Sequence, residues 1–100
     1  MGISISHGVP STRSALTIAN LGQHLAHALS GSEWREVSHL FDGRVNPPLT
    51  VPPTEAGRIA SILKSAAHRP SMATEWGLLA LELAGAALRA SHAGQNWEWS

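Results

Sequence analysis

His24 and His27 stand three residues apart in the run Leu21-Gly22-Gln23-His24-Leu25-Ala26-His27. On a helix that spacing sets two imidazoles on adjoining positions, enough to supply two ligands to zinc or another borderline metal. A third ligand is needed, yet no Asp or Glu lies in this stretch, and the H-E-x-x-H order that would add a general base is absent. Projected on a helix, both histidines fall on the side of Arg13, Thr17 and Asn20, opposite the apolar positions. The reading is therefore a solvated face, with metal or small-molecule binding by His24 and His27 as the alternative.

Three Ser-His dipeptides, Ser6-His7, Ser38-His39 and Ser91-His92, invite a hydrolytic reading. Adjacent side chains diverge by about 100° on a helix and point to opposite faces of a strand, so sequence neighbours are expected to make poor nucleophile and base pairs. No G-x-S-x-G elbow, glycine-rich phosphate loop or calcium loop is present. No catalytic residue and no cofactor are expected.

Four tryptophans, Trp34, Trp76, Trp97 and Trp99, occur beside a single Phe and no Tyr. Trp34 and Trp76 fall on apolar helical stripes and read as core. Trp97 and Trp99 alternate along a strand and share one face. They too read first as core, but an exposed pair would stack on bases, sugars or a peptide, which keeps them as candidate interaction residues.

Seven basic and seven acidic residues balance, and the arginines at 13, 35, 44, 58, 69 and 89 are spread along the chain. Neither a duplex nor an anionic membrane finds the concentrated cationic face it would need, so nucleic acid and membrane are not expected partners. Cysteine is absent, which removes disulfides, thiolate metal sites and cysteine nucleophiles together. The first residues lack the basic and long apolar segments of a secretory signal, so the expected location is cytoplasmic.

The elements that must carry these residues have readable ends. One hundred residues predict a single domain over 1–100. Alternation at Ile3 and Ile5, at Leu49 and Val51, and at Trp97 and Trp99 predicts three short strands, the middle one bracketed by Pro48 and Pro52. Between them fall four helices. The first runs from a cap near Ser11 to Gly31, with a seam of Ala15, Ile18, Gly22, Leu25 and Leu29; the second from Ser32 to Gly43, with Trp34, Val37, Leu40 and Phe41 inward. The third starts at Pro53 and ends at His68-Arg69-Pro70; the fourth runs from a Ser71 cap to about Ser91, before Gly94 turns the chain. The expected fold is α+β, four helices on one face of a small three-stranded sheet, in the order β-α-α-β-α-α-β. Gly22 and Gly85, each costing roughly 1 kcal/mol inside a helix, are expected where the first helix crosses close over the fourth.

The fourth helix is apolar around most of its circumference. One stripe is Met72, Trp76, Leu79, Ala80, Leu83, Ala86, Ala87 and Ala90; a second is Leu78, Leu81, Gly85 and Leu88, with charge only at Glu75, Glu82 and Arg89. A chain this short is expected to leave the second stripe as a docking surface. The function expected is a protein-interaction module without catalysis, working by self-association, as a homodimer or other homo-oligomer, or by holding a protein partner, with Leu78, Leu81, Gly85 and Leu88 as contact residues.

The run Val51 to Ala60, the helix from Trp76 to Ala90 and the closing Gly94-Gln95-Asn96-Trp97-Glu98-Trp99 resemble small actinobacterial proteins of unknown function. Fifteen Ala and six Arg against one Lys match the usage of a GC-rich genome. The resemblance implies no active site. Small neutral proteins of this style also include regulators and inhibitors of the immunity, antitoxin or phage-inhibitor kind, which is the remaining alternative.

Overall fold

A computed structural model describes residues 2–8, 13–41 and 49–100. The order is β1 (Gly2–Ile3), β2 (Arg13–Ser14), α1 (Ala15–Ala28), α2 (Gly31–Phe41), β3 (Leu49–Val51), α3 (Pro53–Ala67), α4 (Thr74–His92) and β4 (Trp97–Trp99). The α+β class with four helices is as expected. The sheet differs: β1 pairs with β2 and β3 with β4, both antiparallel, in two two-stranded sheets. The N-terminal segment meets β4 through a single bridge, Ile5 to Trp99, backed by reciprocal bonds between Ser4 and Ser100 at 2.7 and 2.8 Å. Ile3 is drawn into the pairing with β2, a strand the sequence reading lacked because its two residues, Arg13 and Ser14, show no alternation.

Register places Leu49 opposite Trp99 and Val51 opposite Trp97, so these four share one face, with Thr50 and Glu98 on the other. Val51, Trp97 and Trp99 are buried together with Ile3 and Ile5, while Thr50 and Glu98 are exposed. Period-two alternation thus sorts the sheet as the sequence predicts.

Helix ends follow local chemistry. Ser14, rather than Ser11, caps α1, its Oγ accepting from the Thr17 N–H at 3.0 Å; Ser11 lies outside the described residues, as do Gly43 and the loop from Arg44 to Pro48. At the start of α2, Ser30 and Glu33 form a reciprocal capping box: the Glu33 N–H donates to Ser30 Oγ and the Ser30 N–H to Glu33 Oε1. Helix α3 opens on Pro53 after Pro52, and α4 opens on Thr74 after Ala73, with no side-chain cap at either. Ser71 precedes the start of α4 by three residues and does not cap it. Gly94, at φ +66°, closes α4 in a Schellman turn, with Gly94 N–H to Ser91 O and Gln95 N–H to Ala90 O.

The most extensive helix pair is α3 on α4, which fills the connection between the paired strands β3 and β4. Its contact is built from small residues: Ala56, Ala60 and Ala66 on one helix, Ala80, Ala84 and Ala87 on the other, all buried. Gly57 lies against Ser91 Oγ, where a Cβ would come within 2.8 Å, and Gly77 against the Ala67 carbonyl, at 3.1 Å. The two helices therefore approach closely near both ends. Gly22 does something different from the expectation. A Cβ there would meet Phe41 Cβ at 2.6 Å and Phe41 O at 2.7 Å, so it admits the C-terminal end of α2, not α4. At Gly85, among the described residues, a Cβ would come nearest to the Arg89 guanidinium, at 3.4 Å, and not to α1.

Candidate interaction surface

Helix α4 divides its apolar residues in two. Ala80, Leu83, Ala86, Ala87 and Ala90 are buried in the core, with Met72 just before the helix, and Trp76 and Leu79 pack partly against it. Leu78, Leu81, Gly85 and Leu88 fall within roughly 80° of the outer circumference, at 100° per residue. Leu78 is 63% exposed and Leu88 44%; Leu81 and Gly85 are half-buried between them. Their spacing of three, four and three residues is that of a coiled-coil seam.

Beside this seam α3 and α4 leave a groove of about 430 Å³. Its floor is made by Ala60 and Ala84, its α4 wall by Leu81 and Leu88, and its α3 wall by Ser61 and Lys64. Small residues let the two backbones pack tightly, and the same small side chains leave a furrow outside. A shallower cleft of about 400 Å³ lies on the other side of α4, where Thr17 of α1 faces Trp76, Leu79 and the carboxylate-bearing Glu75 and Glu82.

Trp97 and Trp99 are not surface residues. Both are fully buried, with rings edge to face at 5.2 Å, and Trp99 packs edge to face on Phe41 at 5.9 Å. The register that puts them on one strand face also turns that face inward. In the folded chain neither ring is open to a partner, contrary to the exposed pair considered from the sequence.

His24 is likewise not on a solvated face. It is half-buried and stacks on Trp76 with ring centroids 4.9 Å apart, while His27 is exposed. One imidazole is engaged by α4 and the other points elsewhere. Among the described residues no three His, Asp or Glu side chains gather as a metal would need.

Of the Ser-His dipeptides, Ser6-His7 departs from the expected divergence. His7 takes a positive φ of 67°, which reverses the chain and brings Ser6 Oγ to 2.7 Å from His7 Nδ1, with His7 Nε2 2.8 Å from Gln95 Oε1. With its proton on Nε2, His7 donates to Gln95 and accepts from the Ser6 hydroxyl. Ser6 Oγ also accepts the Glu98 N–H at 2.9 Å, the Ser6 carbonyl takes the Trp97 indole N–H at 3.2 Å, and the His7 carbonyl takes Arg89 Nε at 2.7 Å. Gly8, at φ +109°, leaves room for the Arg89 guanidinium. Each of these groups fastens residues 6–8 to β4 and α4, and the cluster reads as a clasp.

A second clasp has no local signal in the sequence. Arg69, between α3 and α4, donates from Nη1 to the Ala28 carbonyl at the end of α1 and from Nη2 to both Glu33 carboxylate oxygens, at 3.1 and 3.3 Å. The backbone and hydroxyl of Ser30, and then the Arg69 guanidinium, hold the Glu33 carboxyl below the usual carboxylate range. Across α2 and α3, exposed pairs join His39 to Glu55 at 3.7 Å and Glu36 to Arg58 at 3.6 Å. Arg58 of α3 thus serves a glutamate of α2.

No described helix is long and apolar enough to cross a membrane. No curated protein and no solved structure matches the chain. A family model does match, over residues 7–100, and so takes in all four helices and the β3–β4 pair. The chain belongs to the family described as a domain of unknown function, DUF7739.

Proposed function

We propose that this protein is a non-catalytic protein-interaction module that docks through the outer face of α4. The observation that carries the reading is the exposure of Leu78 and Leu88, at 63% and 44%, on one seam with half-buried Leu81; the other large apolar side chain so exposed among the described residues, Leu16 at 71%, belongs to a different helix, α1. Leaving two leucines about half in water forgoes roughly 1 kcal/mol or more each of burial. A second set of apolar positions on a helix already anchored by its first is a common sign of a contact face. The same reading takes the protein as cytoplasmic, and the resemblance of its second half to small actinobacterial proteins supports an origin there, with Ala and Arg usage like that of a GC-rich genome.

The test is a photo-crosslinking amino acid in place of Leu78, compared with one at exposed Thr54 on α3, both in the cell the protein comes from. A discrete protein adduct at position 78, missing at 54 and abolished by Leu81→Arg in a folded protein, is the expected result. Equal, diffuse labelling at both positions, or none at 78, would refute it.

A further inference from the structure

We draw no further inference here: the strongest candidate, the groove between α3 and α4 that runs beside Leu81 and Leu88 with Ser61 and Lys64 on its far wall, carries nothing because it belongs to the face already described and nothing in the structure shows what covers it.

Discussion

Trp97 and Trp99 look alike in sequence and differ in one hydrogen bond. Both rings are fully buried, but Trp97 Nε1 donates to the Ser6 carbonyl at 3.2 Å, whereas Trp99 Nε1 is buried with no partner among the described residues. Replacing either by Phe removes similar volume. At position 97 it also strands the Ser6 carbonyl, at position 99 it removes an unmet donor, and such groups are worth about 1–3 kcal/mol. Trp97→Phe should therefore be the more damaging by at least about 1 kcal/mol, read as a lower urea midpoint, and equal midpoints would contradict the assignment. Glu33 offers a second test. Its carboxyl titrates below its unfolded value because Ser30 and then Arg69 favour the charged form. A lowered folded pKa gives stability that is fully present above the unfolded pKa and is lost as pH falls through the folded one. Glu33→Gln should lower the melting temperature at neutral pH and flatten its fall on acidification; a variant that keeps the wild-type acid slope would show that Glu33 does not contribute to it.

At the scale of elements, two helix glycines that the sequence treats as equivalent should respond oppositely to alanine. Gly22→Ala drives a Cβ into Phe41 Cβ and backbone oxygen at 2.6 and 2.7 Å, neither of which is the free end of a side chain. That should cost about 1–3 kcal/mol as α1 and α2 are pushed apart. Gly85→Ala meets the Arg89 guanidinium at 3.4 Å, an ordinary contact distance that leaves its bond to the His7 carbonyl in place, so the gain in helix propensity, about 0.5–1 kcal/mol, should prevail. Thermal melts at low micromolar concentration check both, and stabilisation by Gly22→Ala would refute the packing described. The contrast also marks what a sequence can tell. Pro53, Gly94 and the inward faces of α2 and α3 were legible because the determinants of a helix end or stripe are local. The partner of Gly22, the stack of His24 on Trp76 and the grip of Arg69 on Ala28 and Glu33 were not, because each depends on where a distant element ends. The turn at His7 escaped for a related reason: a positive φ at a non-glycine residue is held by tertiary bonds, here those of its carbonyl to Arg89 and its ring to Gln95.

For the whole molecule the question is how a hundred-residue chain closes its surface. The candidate face was visible in the sequence because α4 carries two apolar stripes and one fold can cover only one, but the groove beside it was not, since it arises from Ala60 on α3 meeting Ala84 on α4. If two copies close that face, folding and association are linked, and stability must rise with concentration. A hundredfold increase above the dissociation range adds about 2.7 kcal/mol per dimer, or about 1.4 per chain. For a domain of this size that corresponds to a rise in melting temperature of about 5 °C or more. Wild-type protein melted at about 5 and 500 µM should therefore separate by several degrees, and Leu81→Arg should melt at the lower value at both concentrations. A wild-type curve that does not move with concentration would mean that the leucines of α4 remain in water without a second copy. A Leu81→Arg protein already unfolded at 5 µM would mean instead that Leu81 belongs to the core of its own chain, and the seam would lose its central residue.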